Sequence, residues 1–249
     1  MRMTDTHEAA AAAPARRRRG GPVRFLRDIV VIFVVALLLS FVIKTFVVRS
    51  FYIPSGSMQN TLQINDRIIV NELVPRFSAI KRGDVVVFKD PGGWLESAPQ
   101  PSTATGNPVV DGVQWFLTQV GIGTQDSDQY LIKRVIGLPG DTVSCCDAQG
   151  HVEVNGKPIT EPYIVAPAGQ KAVPSSFSVT VPAGSLWVLG DNRYNSADSA
   201  FHYNAKKSPW FVPIGNVDGR AVLITWPVKH WSWIDDFQSV FRGSEREGS

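Results

Sequence analysis

Tyr130-Leu131-Ile132-Lys133-Arg134-Val135-Ile136-Gly137-Leu138-Pro139-Gly140-Asp141 reads as a β-strand stopped by a Gly/Pro turn. Side chains alternate along a strand, so Lys133 shares a face with Leu131 and Val135. A lysine in that setting is either an edge residue that blunts aggregation or an amine whose charged form burial disfavours. Outward from it lie further candidate strands at 51–53, 67–71, 84–89, 142–145, 151–155, 177–181, 185–189 and 220–225. Each is short, rich in Val and Ile, and bounded by Gly, Pro, Asp or Asn. Val154-Asn155-Gly156-Lys157 carries the Asn-Gly hairpin signal. No long amphipathic helix alternates with these strands, which disfavours a doubly wound α/β fold. The expectation is a mainly β body. Residues 91–129 break the pattern: a Gly/Pro/Ser/Thr-rich loop, then a short apolar helix at 113–122.

The N-terminal fifth of the chain is different. Ile29 to Val48 is almost wholly apolar. Twenty residues of helix reach about 30 Å, the thickness of a bilayer's hydrocarbon core. Lys44, near the outer end, can snorkel to the interface. A cleavable leader would be shorter and would leave through a small-x-small site. Here the exit is Val47-Val48-Arg49-Ser50-Phe51. The reading is an uncleaved anchor. Arg16 to Arg19 precede it, which places the N-terminus in the cytoplasm. Three parts are therefore expected: a disordered Arg-rich cytoplasmic tail (1–28), a transmembrane helix (29–48) and an extracytoplasmic domain (50–249).

Composition narrows the function. The chain has 249 residues, 44% hydrophobic and 19% charged, with net charge +3, which suits one large or two small domains. Seven Arg against three acids put +4 on residues 1–28, so the body carries −1. A body without basic excess argues against nucleic acid as partner. Two cysteines cannot build a four-cysteine zinc site, and four histidines without paired spacing make a histidine-based metalloenzyme a poor fit. Cys145-Cys146 would lie on the oxidising side, where a strained vicinal disulfide is one outcome.

Two polar stretches complete the candidate chemistry. Ile53-Pro54-Ser55-Gly56-Ser57-Met58 can present a serine on a tight turn. Gly190-Asp191-Asn192-Arg193-Tyr194-Asn195-Ser196-Ala197-Asp198-Ser199 packs polar side chains behind an apolar strand, as a capped turn or as a loop that positions a buried ammonium. A neutral lysine in apolar surroundings can activate a serine.

These segments occur in order: anchor, P-S-G-S-M, R-G-D-V-V-V-F at 82–88, the Lys133 stretch and the Gly190 stretch. Together they closely resemble the bacterial type I signal peptidases over roughly residues 25–225. These are membrane-anchored Ser/Lys endopeptidases that remove signal peptides from exported proteins. The resemblance implies Ser57 as nucleophile and Lys133 as general base. It implies that Ser55 serves the oxyanion hole, that Ser196 orients Lys133 and that Asp198 supports the last box. Ile53, Leu62 and Ile132 would line shallow pockets for small side chains. It implies a β-rich catalytic core with a smaller β-domain inserted at roughly 141–185. It implies no metal or organic cofactor, preprotein signal peptides and the lipid bilayer as partners, and a place in the plasma membrane; the sequence leaves the oligomeric state open, with a monomer as the expectation. Tyr194, Ala200 and Asn65 stand where the family often has Asp, Arg and Gly, and Phe201 to Pro209 is longer than usual. Trp94, Trp115, Phe116, Trp226, Trp231 and Trp233 are candidates for the membrane interface or for core packing. Two other readings compete: a self-cleaving Ser/Lys regulator, which would carry a DNA-binding module in place of the anchor, and an anchored binding domain without activity.

Overall fold

The computed structural model describes residues 22–46, 48–95 and 129–246. The chain divides into two compact units, 1–40 and 41–249. Helix α1 (Pro22–Phe46) begins seven residues before the expected span and stops two residues short of Val48, which already belongs to the first strand. Its side chains from Val23 to Ser40 are exposed, Arg24, Arg27 and Asp28 among them. Among the described residues no helix is long and apolar enough to cross a membrane. The Lys44 side chain, the helix expected at 113–122, Trp115 and Phe116 lie outside the described residues.

The second unit is mainly β. Its strands are β1 (Val48–Tyr52), β2 (Arg67–Asn71), β3 (Val85–Lys89), β4 (Tyr130–Gly137), β5 (Thr142–Cys145) and β6 (Val152–Val154). They continue as β7 (Lys157–Pro158), β8 (Phe177–Thr180), β9 (Ser185–Leu189), β10 (Val212–Pro213), β11 (Val217–Trp226) and β12 (Ser232–Trp233). A helical turn, α2 (Leu73–Arg76), follows β2, and α3 (Ser199–Asn204) follows β9. The main sheet runs β1-β2-β11-β3-β4-β9-β10, with β12 added to β11. The smaller sheet runs β7-β6-β5-β8 and falls in sequence between β4 and β9. Every pairing in both is antiparallel.

The sequence dictates this locally. Strand β3 is buried on both faces: Val85 and Val87 join Met58, Leu62 and Ile132, while Val86 and Phe88 join Val135 and Val188. A near-continuous Val/Phe run is what such a central strand requires. The two sheets share one apolar cluster, in which Val143, Val154 and Phe177 of the smaller sheet pack with Ile136 and Trp187 of the larger. Asn155 and Gly156, at φ +53° and +73°, make the two-residue turn between β6 and β7. Both central residues at positive φ is the turn that matches strand twist.

Strand β4 holds the key asymmetry. Strand β3 pairs with it along Tyr130 to Arg134, whereas β9 pairs with it only from Arg134 onward. One edge of residues 130–133 therefore has no strand beside it among the described residues.

Candidate active site

Ser57 opens a tight turn whose arms are tied together by Ile53 N–H to the Asp66 carbonyl and Asn65 N–H to the Ile53 carbonyl, both 2.9 Å. Within it Gln59 N–H donates to the Gly56 carbonyl at 3.1 Å and Leu62 N–H to that of Met58 at 2.8 Å. Met58 and Leu62 are fully buried, so the apolar core anchors the turn immediately after Ser57. Leu62 thus sits in the core instead of lining a surface pocket. Asn192 clamps the turn from the other side. Its N–H donates to the Ser57 carbonyl at 3.0 Å and its side-chain amide to the Gly56 carbonyl at 3.1 Å.

Lys133 reaches this turn from β4. Its Nζ lies 2.8 Å from Ser57 Oγ and 3.0 Å from the Ile132 carbonyl. Both side chains are sequestered, at 3% exposure for Lys133 and 7% for Ser57. Burial lowers the Lys133 pKa from 10.5 to about 8, against the fields of Asp198 and Asp191, which raise it. Ser55 is an exposed residue, and its Oγ stands 3.4 Å from Ser57 Oγ.

The Gly190 stretch supplies the frame. Asp198 accepts from Gly190 N–H at 3.0 Å and caps α3 through the amides of Ala200 at 3.1 Å and Phe201 at 3.2 Å. Backbone donors thus satisfy this carboxylate without the arginine often found at position 200. Asp191 holds Arg134 in a two-pronged ion pair, at 2.9 and 2.8 Å. Arg193 pairs equally closely with Glu161 beneath the loop, and both side chains are buried. Gly190 is obligatory: a Cβ there would lie 2.2 Å from Ser196 Oγ and 2.6 Å from the Ser57 carbonyl oxygen. Ser196 is therefore beside the turn, and its hydroxyl is buried without a hydrogen bond to Lys133.

Ile53 and Ile132 line a shallow depression together with Phe51, Ile68, Val87 and Tyr130. Its volume of about 20 Å³ suits a methyl-sized group, on a scale where one water occupies roughly 10–15 Å³. A larger cavity, about 240 Å³, is lined by Arg220, Trp233 and Asp236 and contains neither Ser57 nor Lys133.

Other expectations resolve individually. Asn65 takes φ +74°, a left-handed backbone that glycine or asparagine tolerates, and accepts a hydrogen bond from Tyr52 Oη. Tyr194 donates to the Lys171 carbonyl at 3.1 Å. Cys145 and Cys146 are joined to each other. Trp94 is buried, donating to the Pro209 carbonyl at 2.7 Å and stacking on His202, so it is a core aromatic. Trp226, Trp231 and Trp233 are exposed. The sequence reading missed Glu161, Tyr163, His202 and Phe237. Contacts distant along the chain bring Glu161, Tyr163 and Phe237 to the site, and no local pattern marks them, whereas His202 lies on α3 one turn after its cap Asp198.

Comparison with known proteins agrees with the geometry. The family model described as signal peptidase, peptidase S26, matches residues 26–226. The chain is 38% identical over 244 residues to signal peptidase I of Mycobacterium tuberculosis (strain CDC 1551 / Oshkosh), covering 91% of this chain and 81% of that one. It is 37% identical over 256 residues to a probable signal peptidase I of Mycobacterium leprae (strain TN), covering 93% and 86%. A third relative, signal peptidase I of Leptolyngbya laminosa, is 38% identical over 194 residues, covering 78% and 76%. A serine held by a buried lysine, on a chain matched along four-fifths of its length, makes this protein a member of the signal peptidase family, peptidase S26.

Proposed function

We propose that this protein is a serine endopeptidase that removes N-terminal signal peptides from exported preproteins, with Ser57 as nucleophile and Lys133 as general base. The observation that carries the assignment is the 2.8 Å contact between a buried lysine amine and a serine hydroxyl. Neutral Lys133 takes the proton from Ser57 Oγ as the oxygen attacks the scissile carbonyl. Ser55 Oγ and the Ser57 N–H, which has no acceptor among the described residues, receive the negative charge that develops on the carbonyl oxygen. The protonated amine then gives its proton to the leaving nitrogen. Lys133 next activates a water that hydrolyses the acyl-enzyme.

The edge of residues 130–133 that has no strand beside it among the described residues suits an extended substrate, which would add to β4 as a strand. The methyl-sized depression beside Ile53 and Ile132 favours small side chains, hence cleavage after an Ala-x-Ala-like segment. The apolar run from Ile29, preceded by four consecutive arginines, supports a single membrane span with a cytoplasmic N-terminus. Ser57 follows Val48 by nine residues, so it stays within about 30 Å of the bilayer even on an extended chain.

The test is cleavage of a signal-peptide-bearing precursor in detergent micelles by wild type, Ser57→Ala and Lys133→Ala. Wild type cuts after the small-x-small site, and both variants are folded and inactive. Equal cutting by all three, or none across pH 6–10, sinks the assignment and favours an anchored binding domain.

A further inference from the structure

The family match ends at Trp226, yet the following twenty residues reach the site. Strand β12 pairs with β11, and Ile234 N–H donates to the Val222 carbonyl at 3.0 Å. The chain then crosses Gly83, whose Cβ, if present, would meet the Asp236 carbonyl oxygen at 1.8 Å. Gln238 Nε2 donates to the Arg82 carbonyl at 2.7 Å. Glycine at φ +89° is what lets the two backbones come so close.

This crossing completes the surroundings of Arg134. The guanidinium is fully buried and uses all five N–H donors. Nε and one Nη2 hydrogen go to Asp191, and the other Nη2 hydrogen to Thr61 Oγ1 at 3.2 Å. Nη1 donates to the Gly83 carbonyl at 2.7 Å and the Asp235 carbonyl at 3.0 Å. The Tyr163 and Phe237 rings lie 4.1 and 5.4 Å from its central carbon, both within cation–π range. Arg134 therefore joins the turn that bears Ser57, through Thr61, to the loop that bears Asp191, one residue along β4 from Lys133.

We propose that residues 235–237 form a positioning strap: the Asp235 carbonyl and the Phe237 ring fix Arg134, and Arg134 sets the Ser57 turn and the Asp191 loop against Lys133. The inference rests on Ser57 and Lys133 being the reactive pair. Phe237 acts through Arg134 and is not among the residues lining the depression beside Ile53. Its loss should therefore slow turnover without weakening substrate binding. It should also change the pH dependence. Asp191 and Asp198 face Lys133 and favour its proton, while burial holds His202 below 6.5 and so uncharged where Lys133 titrates. Asp198 is held by backbone amides, so only Asp191 depends on Arg134 for neutralisation. A loosened Arg134 leaves the Asp191 charge less compensated and the Lys133 proton harder to remove.

The experiment compares precursor cleavage by wild type, Phe237→Ala and Phe237→Tyr across pH 6–10. Phe237→Ala should lower kcat about tenfold, leave KM within about twofold, and move the rising limb of the pH profile to higher pH. Phe237→Tyr keeps the aromatic face and should restore both. Should Phe237→Ala fail to fold, Phe237→Leu, apolar but without a ring, is read by the same criteria. A wild-type profile in the ringless variant overturns the strap. So does a fall in kcat with an unmoved pH limb, which is what a smaller folded fraction would give. If wild type and Ser57→Ala are equally silent, the Ser/Lys assignment has failed instead.

Discussion

Lys133→Met keeps the length of the side chain and removes its charge, and the structure sets the size of the response. Burial lowers the lysine from 10.5 to about 8. At 1.36 kcal/mol per pKa unit, that gap is roughly 3 kcal/mol of cost to the charged form in the folded state. At pH 7 folded and unfolded chains both carry the proton, so wild type bears the whole cost. Between pH 8 and 10.5 the unfolded chain keeps a proton that the folded lysine has lost, and wild-type stability rises. Above 10.5 the cost is gone. The variant lacks this rise. It also loses the Nζ contacts to Ser57 Oγ and the Ile132 carbonyl, at about 1 kcal/mol each. The balance at pH 7 is a variant more stable than wild type by roughly 1 kcal/mol, and near pH 10.5 one less stable by roughly 2. Denaturant unfolding of the full chain in detergent micelles, followed by tryptophan fluorescence at both pH values, reads the two differences. Other titrating groups cancel in the comparison. Parallel stability curves, with the same difference between variant and wild type at pH 7 and 10.5, would refute the claim that burial lowers the Lys133 pKa.

With Lys133 as the proposed base, precursor cleavage should rise with pH to a midpoint near 8, and a rate held flat down to pH 6 would exclude Lys133 from that role. Ser55→Ala should lower kcat by about 10²–10³ with KM little changed, and single-turnover rates equal to wild type would remove Ser55 from the oxyanion site. Glu161→Gln leaves Arg193 buried without its countercharge, and denaturant unfolding should show a loss of roughly 3–5 kcal/mol; a change below 1 would mean that the pair is dispensable. Tyr130→Ala opens the depression beside Ile132, so precursors with Leu in place of a small residue before the cleavage site should be cut faster relative to Ala; an unchanged ratio would show that Tyr130 does not limit that pocket.

What the sequence made legible was whatever depends on neighbours in the chain. Strands β2, β4, β5 and β9 have the bounds expected from their Val/Ile runs and flanking turn residues. Strands β7, β10 and β12 have two residues each, too few for a period, and exist because a longer strand lies beside them. Ser57 and Lys133 were legible for another reason. A lysine among Leu, Ile and Val is a local anomaly, and the Pro-Ser-Gly-Ser turn is a local signal. Glu161, Tyr163 and Phe237 carry no such mark. Glu161 is one acid among 22, and its role appears only when folding buries it against Arg193, 32 residues away. The misplacement of Leu62 has the same root, because a leucine near a reactive serine reads alike whether it faces substrate or core.

The frame around Lys133 meets two conflicting demands. The Gly190 loop needs carboxylates: Asp198 to cap α3 and hold the Gly190 amide, Asp191 to grip Arg134. A base needs the opposite, since each nearby carboxylate favours its protonated form. At an effective dielectric of about 20, one bare charge 4 Å away would contribute about 4 kcal/mol, enough to cancel the desolvation that keeps Lys133 near 8. The structure reconciles the demands by leaving neither acid bare. Three backbone amides surround Asp198, and a guanidinium with Thr61 Oγ1 surrounds Asp191. Desolvation then remains the largest influence on the lysine. Arg134, adjacent to Lys133 on β4, thereby helps keep the amine in its neutral form, although the alternation of the strand turns their side chains to opposite faces.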